Sequence, residues 1–319
     1  MNSSKWLTVL ASVCILALGV AACGDDDESS GSSGGGDLSG SIRIDGSSTV
    51  APLTEAVAEE FEAENPDVRV TVGTSGTGGG FEKFCAGETD ISDASRAIEP
   101  EEIAACKKAG VVNEEVRVAT DALTVVVNPE NPVNCLTVEQ LGAIWGPDSN
   151  LSSWGEIPGL KEDFSEELAL FGPGTDSGTF DYFTEEINGE EGASRQDYNN
   201  VGENDNATVT GVSGSPGGLG YFGFSFYQEN EDTLKALEVD GGEGCVAPSA
   251  ETAQNDEYVP LSRPLFIYPS EEALGRPEVK AFVDFYLANV NELAEAVGFI
   301  PLTDEQLKAS EDATAKLTS

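Results

Sequence analysis

Three times along this chain a strand-like run gives way to glycines and hydroxyls and then to apolar residues at helical spacing. No other feature restricts the fold as much. Residues 41–45, SIRID, alternate in polarity as a strand does, and Gly46-Ser47-Ser48-Thr49-Val50 follows as a turn. Pro52 suits a first helical turn, Leu53, Val57 and Phe61 share one face, and Asn65-Pro66 ends the helix. Residues 68–72, VRVTV, read as a second strand, and the loop 73–80, GTSGTGGG, opens a short helix with Phe81 and Phe84. The apolar run 168–171 leads through Gly172, Pro173 and Gly174 to Asp176-Ser177-Gly178-Thr179, after which Phe180, Phe183 and Ile187 fall at i, i+3 and i+7. Such repetition predicts a parallel α/β sheet, whose ligands bind beyond the carboxyl ends of the strands. Each helix start offers N–H groups with no partner inside the helix, which suits an anion. An ordinary serine N-cap explains any one of these stretches. Three of them point to a shared anion site.

The rest of the chain supplies a frame for that edge. At 319 residues it is long enough for two lobes. Residues 119–127, ATDALTVVV, and 258–268, YVPLSRPLFIY, read as buried strands, and we take them as two crossings between the lobes. Val279, Phe282, Val283 and Tyr286 mark an amphipathic helix near the end. The polar, Gly-rich stretch 202–219 is expected as a loop at a cleft or on the surface.

Several chemistries are excluded by composition. With 58 acidic against 16 basic residues, the chain is not built for nucleic acid. There is no histidine, which removes a Ser-His-Asp hydrolase and argues against a Cys/His zinc site. Gly80 is followed by Phe81, not by the Lys-Ser/Thr of a phosphate-binding P-loop, and residues 76–81, GTGGGF, fail the dinucleotide pattern. Lys83 has no catalytic motif around it. No metal or cofactor is expected, and binding is favoured over catalysis.

The N-terminus reads as a processing signal. Lys5 precedes the apolar run 6–20, and Val20-Ala21-Ala22-Cys23 resembles a bacterial lipobox. This implies a signal peptide over 1–22, acylation of Cys23 and a flexible tether over 23–40. Four cysteines remain: Cys85, Cys106, Cys135 and Cys245. In an exported protein an even number suggests disulfides, and four allow three pairings. We favour Cys85 with Cys106, which closes a short local loop, and Cys135 with Cys245.

Taken in order, Gly46-Ser-Ser-Thr-Val50, the Ser75/Thr77 loop leading to Asp90-Ile-Ser-Asp-Ala-Ser-Arg96, and Ser177-Gly-Thr179 closely resemble the phosphate-binding lipoproteins of bacterial phosphate-specific ABC transporters. The run Gly218-Leu-Gly-Tyr-Phe222 and the segment 282–302 resemble the same family, over roughly residues 41–305. The resemblance implies a two-lobed periplasmic-binding-protein fold of type II. Each lobe is then a mostly parallel sheet flanked by helices, with the ligand in the cleft. Lobe I is expected over 41–120 plus 262–319 and lobe II over 121–261. It implies a monomer outside the cell membrane, held by its lipid, that binds inorganic phosphate and hands it to the permease and ATPase subunits of an importer.

The implied contacts are Thr49 and Val50, Ser75 with Thr77 as its rival, Ser95, and Ser177, Gly178 and Thr179. Two positions depart from better-known relatives. An arginine expected four residues before Ser177 is Pro173, and an aspartate expected after Ala94-Ser95 is Arg96. Arg96 is our candidate for the missing cation, and Arg195 is the second. Asp93, Asp121 and Asp176 are candidates for the missing proton acceptor, with Asp121 first because it lies at a proposed crossing. Such an acceptor separates phosphate, which carries a proton near neutral pH, from sulfate, which does not. Binding of another oxyanion such as sulfate, or a sensing role, are the alternatives.

Cys23→Ala should release the protein from the membrane, because the only long apolar segment would be cleaved away. Fractionation with mass measurement of the mature N-terminus checks this. Unlipidated wild-type protein free in the medium would refute it.

Overall fold

The computed structural model describes residues 38–318. The signal segment, Cys23 and the tether up to residue 37 lie outside the described residues. Among the described residues no helix is long and apolar enough to cross a membrane.

The first strand–loop–helix units fold as β1 (Gly40–Gly46), α1 (Ala51–Glu64), β2 (Val68–Gly73), α2 (Gly76–Cys85), β3 (Ile91–Ala94) and α3 (Pro100–Ala109). A 12-residue strand, β4 (Val116–Val127), follows. Next come β5 (Cys135–Thr137), α4 (Val138–Trp145), β6 (Ala169–Gly172), α5 (Gly178–Asn188), β7 (Asn199–Asn200), α6 (Asp205–Gly214), β8 (Gly218–Gly223) and α7 (Phe224–Glu229). The chain continues through β9 (Lys235–Ala236), β10 (Glu238–Asp240), β11 (Cys245–Val246), α8 (Ala250–Gln254) and β12 (Ser262–Pro269). It ends in α9 (Glu271–Leu274), α10 (Pro277–Ala296) and α11 (Asp304–Leu317).

The main sheet runs β2-β1-β3-β12-β4-β8-β6-β7, with β9 also on β4, and β11-β10-β5 form a small second sheet. β1 is parallel to β2 and β3, and β6 is parallel to β7 and β8. β12 and β4 run antiparallel to each other between these two parallel groups. The fold is α/β, as the strand–loop–helix rhythm predicts, but the sheet is mixed and not purely parallel, because β12 and β4 pair antiparallel with their neighbours.

β4 belongs to both halves of the sheet. Its residues 116–122 pair with β12 and its residues 123–127 pair with β8. Val116, Val118 and Ala119 enter one apolar core, built on α1 and α10. Leu123, Val125 and Val127 enter another, built on α4, α5 and β8. The face read from Val279, Phe282, Val283 and Tyr286 is buried in the first core, where Phe282 meets Phe61 edge-on at 5.4 Å. In the second core Phe183 of α5 stacks on Tyr221 at 3.8 Å, and Trp145 meets Tyr221 edge-on at 5.0 Å. Such pairs add about 0.5–1.5 kcal/mol beyond burial. They set the position of α5, and with it the Ser177–Thr179 stretch.

The cysteines pair as Cys85–Cys106, which joins α2 to α3, and Cys135–Cys245, which joins β5 to β11. Two expectations need correction. The loop 73–80 ends early, because α2 begins at Gly76 and its glycines are helical. Gly80 is required there for close approach: a Cβ on it would lie 2.5 Å from the Gly46 Cα. The stretch 202–219 is not a loop but α6 and the start of β8. Thr208, Val209 and Val212 bury one face of α6, and that burial outweighs the polar composition.

Gly46→Ala tests this close packing. Gly46 has φ +152° and an added Cβ would lie 2.0 Å from the Asp93 carbonyl oxygen. The substitution should cost about 2 kcal/mol or more, read by urea unfolding.

Candidate functional site

Three segments of one half and one helix of the other line a cavity of about 330 Å³. Ser47, Ser48 and Thr49 come from the β1–α1 turn, Gly76, Thr77 and Gly78 from the start of α2, and Ser95 and Arg96 from the end of β3. Opposite them stand Gly178, Asp181, Tyr182, Glu185 and Glu186 of α5, with Glu191 just beyond it. Arg263 of β12 completes the lining. All three hydroxyl and glycine loops of the sequence therefore reach one cavity, beyond the carboxyl ends of β1, β2, β3 and β6 and at the amino ends of helices.

Individual residues divide. Thr49 lines the cavity, and its Oγ1 accepts a bond from Arg263 Nη2 at 2.9 Å. Val50 does not line it. Val50 is the residue before α1, its side chain is fully buried, and its carbonyl accepts from Leu53 and Thr54. Ser75 also turns away, because its hydroxyl donates to Asp45, which Lys83 Nζ holds at 2.6 Å. Its rival Thr77 lines the cavity instead. Thr77 Oγ1 and Ser95 Oγ are 3.1 Å apart, and the Ser95 N–H donates to Thr77 Oγ1 at 3.2 Å. Starting α2 one residue after Ser75 makes that serine the N-cap and rotates Thr77 into the cleft.

On the far side Gly178 lines the cavity. Ser177 is buried at the N-cap of α5 and its side chain makes no capping bond. Thr179 is half-buried in the first turn.

The cations are arranged differently from expectation. Arg96 lines the cavity, but its guanidinium is forked onto Glu102, with both bonds at 2.9 Å, and lies 3.3 Å from Glu99. The Glu102 bond raises its pKa further, so it stays charged. Arg195 is not a cleft residue. It is buried against α4, where Nη1 donates to the carbonyls of Ile144 and Leu151 and to Ser149 Oγ, and Nε and Nη2 pair with Asp197. The cation that sequence reasoning missed is Arg263. Besides Thr49 it holds Asp121, with Nε 3.3 Å from Oδ2, and its guanidinium lies 3.5 Å from the Tyr182 ring centroid. A lone charge within the apolar, Pro-broken run 258–268 was the available signal.

Asp121 is buried and touches the cavity only through Arg263. Burial raises its pKa, and Arg263 opposes the rise. The acidic wall of α5 was also missed, although Asp181 and Glu185, four apart, share a face by spacing alone. Burial raises Glu186, with Arg263 opposing, and burial plus the charges of Glu191, Asp176 and Glu185 raises Asp181. Asp93 is fully buried beneath the β1–α1 turn and is not in the cavity. Cys135, Glu238 and Cys245 cluster within 4.8 Å, but the two sulfurs are bonded to each other and are not metal ligands.

Hydroxyls, helix starts and two arginines, Arg96 and Arg263, around a polar cavity suit a small oxyanion. Comparison with known proteins agrees. Residues 31–290 match the model described as the PBP superfamily domain. Protein SphX of Synechococcus elongatus is 50% identical over 265 residues, 82% of this chain and 77% of its own length. The phosphate-binding protein PstS of Staphylococcus epidermidis is 35% identical over 312 residues, 97% of this chain and 92% of its own. A crystal structure of a possible phosphate binding protein from Planctomyces limnophilus DSM 3776 superposes with a TM-score of 0.83 at 45% identity, covering 88% of this chain and 100% of that one. An ABC-type phosphate transport receptor from Vibrio cholerae shares the fold, with a TM-score of 0.62 at 22% identity over 82% of this chain and 99% of that one.

Arg195→Met should destabilise the chain by roughly 1–3 kcal/mol, since buried carbonyls lose a charged donor, and should leave anion binding near wild type. Thermal unfolding and calorimetry together check this.

Proposed function

The chain belongs to the PBP superfamily, and on that premise we propose that it binds inorganic phosphate outside the cell membrane and delivers it to an ABC transporter for import. The observation that carries this reading is Arg263, poised between Thr49 and Tyr182 in a cleft lined by three helix starts. In this reading Arg263 supplies the cation, and Arg96, neutralised by Glu102, contributes less. Thr49, Thr77 and Ser95 donate from one side. Gly178 donates from the other, joined by Ser177 and Thr179 when the cleft closes. Asp121 does not line the cavity but is held beside it by Arg263, and we take it as the acceptor of the phosphate proton once the cleft closes.

We take lobe I as 41–120 plus 262–319 and lobe II as 121–261, which hinge where β4 and the chain leading from Tyr258 into β12 pass from one core to the other. The same reading makes the protein a monomeric, lipid-anchored carrier without catalytic activity, whose direct partner is the permease. The cavity contains no paired nucleophile and histidine base, consistent with binding.

Titration calorimetry with phosphate and sulfate tests the ligand. Phosphate should bind, and bind more tightly than sulfate; the reverse order would overturn the assignment. Arg263→Met removes a charge-assisted bond of about 1.5–3 kcal/mol, so affinity for phosphate should fall roughly ten- to a hundredfold. Unchanged affinity would remove Arg263 from the site.

A further inference from the structure

Asp93 is a buried acid of this region that the site does not use. It is the penultimate residue of β3, beside the β1–α1 turn: Asp93 pairs with Gly46 in the parallel register, and its carbonyl accepts the Ser47 N–H at 2.9 Å. Its side chain is completely buried, and neither carboxyl oxygen has a hydrogen-bond partner. Thr54, in the first turn of α1, faces it. Thr54 Oγ1 lies 3.1 Å from Tyr286 Oη of α10, and both residues are fully buried. The same turn of chain presents Ser47, Ser48 and Thr49 to the cavity. The carboxyl therefore sits behind the N-terminus of a 14-residue helix whose front faces the anion site.

An unpaired carboxylate in such a place is costly, so the group is held as the acid. Burial pushes it up to about 8; Thr54 eases the shift, and the charges of Asp45 on β1 and Glu55 on α1 add to it. Asp45 is itself paired with Lys83, and Tyr286 on α10 is neutral because burial raises it far above its usual range.

We propose that Asp93 is a positioning residue for the anion. As the neutral acid it leaves the positive end of α1 to the ligand, and once ionised it competes with the ligand for that end and repels it. The proposal deepens the phosphate-binding reading and rests on it. A carboxylate packed behind the first turn draws on the same partial charge that holds an anion in front of it.

The test compares wild type with Asp93→Asn, which keeps the shape and cannot ionise. Phosphate calorimetry from pH 7 to pH 9.5 cancels the ligand's own ionisation between the two proteins. Wild-type affinity should fall roughly fivefold or more beyond the fall in the variant. Parallel profiles would overturn the proposal. If the variant does not fold, wild type decides. Phosphate binding near pH 8.5, measured in buffers of different ionisation heat, should take up part of a proton, and none taken up would overturn it.

Failure of wild type to bind phosphate would defeat the functional reading alone. The ligand-free proteins then decide whether Asp93 is the acid. The folded group keeps its proton up to about 8, whereas the unfolded one loses it near 3.8, so wild-type stability falls between those values. The melting temperature of Asp93→Asn relative to wild type should rise across that window and level off above it. A constant difference would overturn the proposal.

Discussion

The guanidinium of Arg263 is where the separate parts of this molecule meet. It touches Thr49 in the first turn, Asp121 on β4 and Tyr182 on α5, while its own strand carries Leu265 and Ile267 into the first core. Planarity allows this: the edge donates to oxygen on one element while the face lies on an aromatic ring of another. Tyr182 in turn donates its hydroxyl to the Pro260 carbonyl at 2.9 Å, which ties α5 to the chain leading into β12. The cleft geometry is thus fixed by contacts between residues 78 to 214 positions apart in sequence.

The acidity of the chain, with a formal net charge of −42, then ceases to conflict with an anion site. Charges more than a Debye length from the cleft are largely screened by physiological salt. Inside it, most donors are hydroxyls and backbone groups, so few cations are needed. The carboxylates that do line the cavity, Asp181, Glu185, Glu186 and Glu191, all come from α5 or just beyond it. They face the loops across the opening, so one wall attracts an oxyanion while the other penalises it unless it brings a proton.

The local pattern was readable and the long-range partners were not. β1, α1, β2 and α5 follow from alternation, helical spacing, Pro52 and Gly178, because those signals act over a few residues. α6 was hidden because its sequence is polar and its helix is stabilised by a face, Thr208, Val209 and Val212, that only tertiary packing covers. The three glycine and hydroxyl loops do reach one cavity, yet which hydroxyl faces inward depended on the start of α2, a matter of one residue. Ser75 and Thr77 cannot be separated without knowing that Asp45, thirty positions earlier, takes the serine. Arg263 and Arg195 show the same limit. An arginine's role depends on which carboxylates and carbonyls reach it, and Glu102, Asp121 and Ile144 reach theirs only in the fold.

The two disulfides lie on opposite sides of the place where β4 changes cores. Cys85–Cys106 ties α2 to α3, beside Phe81 and Tyr268, and Cys135–Cys245 ties the small sheet. The second closes a span of 110 residues, the kind of long loop whose cross-linking restricts the unfolded chain most. Neither bridge spans the cavity. An oxidising environment can therefore harden each half against unraveling and proteolysis while the opening between them stays as free as in the reduced chain. Durability and mobility are assigned to different parts of the molecule, and evolution can adjust one without touching the other.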